Sequence, residues 1–137
     1  MRVLVTGSRN WTDRESIYTA LDEIARHAFR EGVPEIVVVH GCARGADVMA
    51  DLWVTSRRGN WPVRVERHPA DWVKHGKRRA GFVRNHHMVN LGADVCLAFI
   101  KDGSPGATHC ADAAESAGIR TERFAVRTAE PMPDEVA

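Results

Sequence analysis

Three short glycine-bearing stretches hold the residue types from which an anion site is built: Gly7-Ser8-Arg9, Gly41-Cys42-Ala43-Arg44-Gly45-Ala46-Asp47, and Gly103-Ser104-Pro105-Gly106-Ala107-Thr108. Glycine lets backbone N–H groups approach a ligand where a Cβ would block it. Arg9 and Arg44, with Arg84 of the pair Arg84-Asn85, add planar guanidinium forks that meet phosphate oxygens with two parallel hydrogen bonds. Ser8 stands at a strand end, where its hydroxyl either donates to a phosphate or caps a turn. Asp13, Asp47 and Asp112 are the carboxylates within reach of these stretches, and a carboxylate beside a bound sugar can stabilise developing positive charge or activate water. Asp47 is equally explained as an acid matched to the dipole of the helix it opens. Trp11 and Trp72 offer ring faces for a base, although packing is the commoner fate of tryptophan.

The elements that must position these residues read as alternating strands and helices. Arg2-Val3-Leu4-Val5-Thr6 is a short apolar strand opening at Gly7. Thr12 or Asp13 can cap the helix that follows, in which Ile17, Ala20, Leu21, Ile24, Ala25 and Ala28 recur at helical spacing up to Gly32-Val33-Pro34. The β-branched run Ile36-Val37-Val38-Val39 suits a strand covered on both faces, and it runs into Gly41. From Ala46 to Arg57 the spacing of Val48, Leu52 and Thr55 predicts a helix packed through that stripe. A third strand covers Val63 to Glu66. Lys74 to Arg79, with Gly76 and dense charge, reads as a surface loop able to cover a ligand. Helix is expected again from Ala80 to Leu91, with Phe82, Val83, Met88, Val89 and Leu91 offered for packing and for a dimer face. Ala93 to Ile100 is a fourth strand, an alanine-rich helix runs to Ala117, and Ile119 to Val126 is a fifth strand.

Successive strand–turn–helix units predict a parallel sheet with right-handed crossovers. The glycine turns after strands one, two and four then emerge on the same sheet edge, where crevices form. Strand, glycine turn and helix is also how any α/β protein joins its layers, so the convergence carries more than any single loop.

The chain has 137 residues, 44% hydrophobic and 27% charged, which is one soluble domain over residues 1–126 with a flexible tail at 127–137. No apolar run reaches the length of a membrane span and the N-terminus enters a strand directly, so a cytoplasmic protein without membrane contact is expected. Cys42, Cys96 and Cys110 lack paired metal-type spacing; Cys96 reads as strand core, with Cys42 and Cys110 near the ligand loops. His86 and His87 point about 100° apart on a helix and cannot ligate together. Neither metal nor cofactor is expected. The net charge is +1, yet nine Lys or Arg lie between Arg57 and Arg84 against Glu66 and Asp71 alone, a local field for phosphates or a solvated basic face.

Gly7-Ser8-Arg9 with Trp11 and Asp13, Gly41-x-Ala43-x-Gly45-Ala46-Asp47, Pro69-Ala70-x-Trp72, Gly81-x-x-Arg84-Asn85-x-x-Met88 and the Gly103 to Thr108 loop together resemble the SLOG superfamily, most closely its YspA-type branch of bacterial and phage proteins. The resemblance implies a three-layer Rossmann-like α/β fold, with a mainly parallel sheet of five strands flanked by helices. It also implies that the ligand is a nucleotide or nucleotide-derived small molecule. Among relatives, the lonely guy phosphoribohydrolases cleave the N-glycosidic bond of a nucleoside 5′-monophosphate, usually as dimers. Their Arg-Lys-x-x-Met element is similar to Arg84-Asn85-x-x-Met88, and their Pro-Gly-Gly-x-Gly-Thr-x-x-Glu loop to Gly103 through Ala111, with Thr108 at the threonine. The glutamate falls on Ala111, and Asp112 follows one residue later.

These readings lead to a ligand set of Gly7, Ser8, Arg9, Trp11, Gly41, Ala43, Arg44, Gly45, Asp47, Arg84, Asn85, Gly103, Ser104, Gly106 and Thr108. Arg84, Asp47 and Asp112 are the candidates for hydrolysis, and a homodimer is the expected assembly. A non-catalytic nucleotide sensor is the rival, supported by Ala111. Single-stranded nucleic-acid binding by the basic stretch, as in DNA-processing members of the superfamily, is the weaker alternative.

Overall fold

The structure, a computed structural model, describes residues 1–128, Arg78 by its backbone alone. The strands are β1 (Arg2–Gly7), β2 (Ile36–His40), β3 (Val63–Arg67), β4 (Val95–Lys101) and β5 (Arg120–Val126); the helices are α1 (Arg14–Arg30), α2 (Ala46–Arg57), α3 (Trp72–His75), α4 (Lys77–Asn90) and α5 (Pro105–Ser116). All four strand pairings are parallel and the order is β3-β2-β1-β4-β5. This is a three-layer Rossmann-like α/β fold. Most of the expected tail lies outside the described residues; its first two residues are described, and Thr128 donates to the Asp102 carboxylate from both its N–H and its hydroxyl.

Strand alternation decides the layers. Val3, Val5, Ile36, Val38, Leu97 and Phe99 point to the face covered by α1 and α2. Leu4, Val37, Val39 and Cys96 point to the other face, against Met88 and Val89 of α4 and Cys110 and Ala114 of α5. The β-branched run of β2 is therefore buried on both sides, as its composition predicts. Asp13 caps α1 by accepting from the Ser16 N–H at 3.2 Å.

Several expectations are corrected. On α2 the stripe Val48, Leu52 and Thr55 faces solvent, and the helix instead buries Ala46, Ala50, Trp53 and Val54. Small residues let its first turns sit close to the sheet, while Trp53 supplies the volume further along and donates to Asp22 of α1 at 2.8 Å. Lys77 to Arg79 form the first turn of α4 rather than a loop, because Gly76, at a φ of 76°, turns the chain directly from the single turn of α3 into the next helix. Of the apolar residues offered by α4, Met88 and Val89 are buried, and Val83 and Leu91 stay exposed. Cys110, expected near the ligand loops, is wholly buried in the core.

The close approach of α2 to the sheet is made at Gly7. A Cβ there would overlap the Ala46 side chain and come within 2.9 Å of the Phe99 carbonyl oxygen. Gly7→Ala is expected to cost about 1–3 kcal/mol, the usual range for overpacking, read as a Tm lowered by several degrees in thermal unfolding. An unchanged Tm would contradict this packing.

Candidate functional site

In this strand order the chain leaves β1 and β4 toward opposite faces of the sheet, and such a reversal opens a crevice at the carboxyl ends of the strands. A cavity of about 560 Å³ lies there. Gly7, Ser8, Arg9 and Asn10 after β1 form one wall, Ala43 and Asp47 after β2 a second, and Ser104 to Ala107 after β4 a third. The remaining side comes from Trp72 of α3 and from Lys77, Gly81, Phe82, Arg84, Asn85 and Met88 of α4. A smaller cleft of about 220 Å³ adjoins it, lined by Gly41, Cys42 and Arg44 and sharing Arg9, Ala43, Trp72 and Arg84 with the main cavity.

Polar side chains hold the three loops together. Ser8 is buried; its Oγ accepts from the Lys101 N–H at 2.7 Å and shares a hydrogen bond with Ser104 Oγ at 2.6 Å. Arg84 Nη1 donates to the carbonyls of Gly41 and His68, and its Nε donates to Asn85 Oδ1 at 2.9 Å. Asn85 Nδ2 in turn donates to the Gly106 carbonyl at 3.3 Å. One dipeptide thus ties α4 to the loops after β2, β3 and β4. A Cβ at Gly41 would run into the Arg84 guanidinium, and one at Gly45, where φ is 81°, into the Ser8 carbonyl. The glycines are there because the loops touch.

Asp47 opens α2 and is 4% exposed. Its Oδ2 accepts from the N–H groups of Gly41 at 2.9 Å and Ala43 at 3.2 Å, while Oδ1 is buried without a hydrogen-bond partner among the described residues. Burial pushes this carboxyl above the ordinary carboxylate range, against the opposing pull of His40, Arg84 and the two loop N–H groups. Beneath the same loop, buried His40 accepts the Cys42 N–H on Nδ1 at 2.9 Å, which leaves Nε2 to donate to Asp51 at 2.7 Å. Arg67 pairs with both oxygens of Asp51 and holds that carboxylate below its usual range. Cys42, whose N–H His40 accepts, stands at a left-handed φ of 61°.

The structure brings together Gly7, Ser8, Arg9, Ala43, Asp47, Arg84, Asn85, Ser104 and Gly106 at the main cavity, with Gly41 and Arg44 at the cleft beside it. Gly45 stands behind the wall as the N-cap of α2. Trp11 is not brought there: it is 4% exposed, packs edge-on against Phe99, and donates from Nε1 to the Asp13 carbonyl. Asp112 is exposed, and Arg123 donates to it at 2.7 Å away from the cavity. Asp13 is taken up in capping α1. Thr108 and Gly103 lie outside the lining, the first donating its N–H to the Ser104 carbonyl. Ala111, where the lonely guy glutamate would fall, is wholly buried against Ala98, Ile100 and Ala107.

The sequence pattern alone did not single out Lys77, Phe82 and the His40–Asp51 pair. Nothing in its spacing sets Lys77 apart within a dense basic segment; His40, a histidine ending a buried strand next to a glycine turn, carries the better signal. Of the two tryptophans offered for a base, Trp72 rather than Trp11 is at the site, 43% exposed with the Arg9 guanidinium 5.7 Å from its ring centroid.

The family model described as the YspA, cpYpsA-related SLOG family matches residues 1–75. The chain belongs to this family. The matched span takes in the first two cavity loops and Trp72, whereas Arg84-Asn85 and the Gly103 to Thr108 loop lie beyond it. The Gene 61 protein of Mycobacterium phage D29 is 49% identical to this chain over 125 residues, covering 90% of this chain and 95% of that protein.

Because folding raises the Asp47 carboxyl above its ordinary value of 3.8, the native state keeps a proton that the unfolded chain releases. Its contribution therefore turns against folding as pH rises from that value through the folded one. Asp47→Asn keeps an oxygen for the two loop N–H groups and removes the buried charge. Its Tm at pH 7 is expected to exceed that of the unaltered protein, with the difference vanishing below pH 4. A lower Tm at pH 7 would contradict the assignment.

Proposed function

We propose that the protein binds a nucleotide or nucleotide-derived small molecule in the cavity between the β1, β2 and β4 loops. The observation that carries this reading is the convergence of those loops on one cavity, at the sheet's reversal point, with a cation on the β1 wall and another on the α4 side. Arg9 and Lys77 are exposed at its edge and available to phosphate oxygens. The α5 N-terminus, with Pro105 in its first turn, contributes N–H groups that have no partner within the helix. Trp72, Phe82 and Met88 give the apolar area that a base or ribose requires. The family's nucleotide-related character points the same way.

Binding without cleavage is the form we favour. Asp47 is the one carboxylate among the described residues lining the cavity, and one of its oxygens is already committed to the loop. Cleavage of an N-glycosidic bond would have to run through the other. Asp112 and Ala111 are placed where neither serves.

The single-stranded nucleic-acid alternative loses much of its basic surface to internal pairing. Arg57 is paired with Asp22, Arg64 with Glu35 and Arg67 with Asp51, while Arg84 is turned inward to Gly41.

The test is a panel of nucleoside monophosphates, cyclic nucleotides and ADP-ribose, with Tm and free base read in the same samples. At least one compound is expected to raise Tm without release of base, as any ligand selective for the native state must. Arg9→Ala and Lys77→Ala are each expected to weaken that compound about tenfold, the scale of one charge-assisted contact. Absence of any shift, with salt-sensitive oligonucleotide binding instead, would overturn the reading.

A further inference from the structure

Asp47 Oδ1 is the one buried side-chain polar atom without a hydrogen-bond partner among the described residues. It belongs to a residue that lines the main cavity and whose other oxygen is held by Gly41 and Ala43. Buried polar atoms are nearly always satisfied, so a lone exception at a cavity wall needs an explanation, and a partner supplied by a bound ligand is one. The occupant's chemistry follows from the surroundings. An ionised phosphate set against a carboxylate would be repelled, and Arg9 and Lys77, on walls formed by other segments, offer phosphate a better position. A base N–H can satisfy Oδ1 only while that oxygen is unprotonated, and a base ring nitrogen or carbonyl only while it is protonated. A sugar hydroxyl both donates and accepts, so it satisfies Oδ1 in either protonation state. Trp72, half-exposed beneath Arg9, provides a ring face for the base nearer solvent.

We propose that Asp47 is the residue that determines specificity for ribose, holding a ribose hydroxyl of the bound nucleotide on Oδ1, so that the cavity takes ribonucleotides and discriminates against their deoxy counterparts. This rests on the nucleotide reading of the cavity and adds the sugar class to it. The same carboxyl fixes the loop with one oxygen and reads the ligand with the other, so the shape of the wall and the choice of sugar are set by a single side chain.

The test compares the four ribonucleoside 5′-monophosphates and ADP-ribose, and then the 2′-deoxy and 3′-deoxy forms of whichever binds, by isothermal titration at fixed salt. One deoxy form is expected to bind at least about tenfold more weakly, because losing the hydroxyl leaves Oδ1 buried and unpaired again. In Asp47→Ala the ratio of ribo to deoxy affinity is expected to fall to about one. A carboxyl that served only to hold the loop would weaken both forms together and leave the ratio intact. The comparison on the unaltered protein needs no variant, so it stands even where Asp47→Ala fails to fold. Equal binding of ribo and deoxy forms overturns the sugar assignment and leaves the nucleotide reading standing. Failure of every nucleotide to bind overturns both.

Discussion

At the carboxyl end of β1 the chain turns toward one face of the sheet, while at the end of β4 it turns toward the other, and Ser8 spans the gap. Its buried hydroxyl accepts from the Lys101 N–H and meets the Ser104 hydroxyl, and its N–H donates to the Phe99 carbonyl. The remaining features of the site depend on this junction. Gly45 must lack a Cβ because the Ser8 carbonyl is against it, and Gly7 must lack one because α2 comes down on β1 at Ala46. The Arg84-Asn85 pair then closes the structure from the opposite layer, reaching Gly41 on one side and Gly106 on the other. The cavity is thus bounded by loops that hold one another, a preorganised arrangement in which little ordering is left for a ligand to impose.

Such a site has a cost in stability. A carboxyl buried with one oxygen unsatisfied opposes folding as it loses its proton, and nothing in the packing of α2 requires an acid at Asp47. Gly41 and Ala43 need only an acceptor, which an asparagine would supply. An acid retained where an amide would serve the fold better is the pattern expected when stability is given up for recognition. His40 and Asp51 show the contrast. In this pair, His40 buried and Asp51 partly exposed, every facing atom is engaged, Nδ1 by Cys42 and the carboxylate by Nε2 and Arg67, and it serves to shape the loop from below.

Much of this was legible in the sequence because it rests on local rules. The β-branched run of β2, the glycine turns and the capping Asp13 specify elements, and parallel connections force those turns to one edge. Asp47 could be named because it stands beside one of those turns, and Arg84-Asn85 because it is similar to the Arg-Lys-x-x-Met element of the lonely guy relatives. What was not legible depended on which way a helix is rotated. Val48 and Leu52 are larger and more apolar than Ala46 and Ala50, yet only the small residues let α2 approach the sheet, and the larger pair is left outside. The same rotation takes Asp112 to solvent beside Arg123 and Ala111 to the interior. Trp11 and Trp72 cannot be told apart by composition; the first has a partner in Phe99 and the second stands at the cavity.

The most direct check on the account is a backbone amide NMR titration of the isotopically labelled protein with adenosine 5′-monophosphate and with ADP-ribose. The account predicts shifts concentrated at Gly7 to Asn10, Ala43 to Asp47 and Gly106 to Ala107 for at least one of them, with the indole of Trp72 moving and that of Trp11 still. Shifts confined to the backbone amides of the exposed basic residues of α3 and α4, or none at the three loops with either compound, would contradict it.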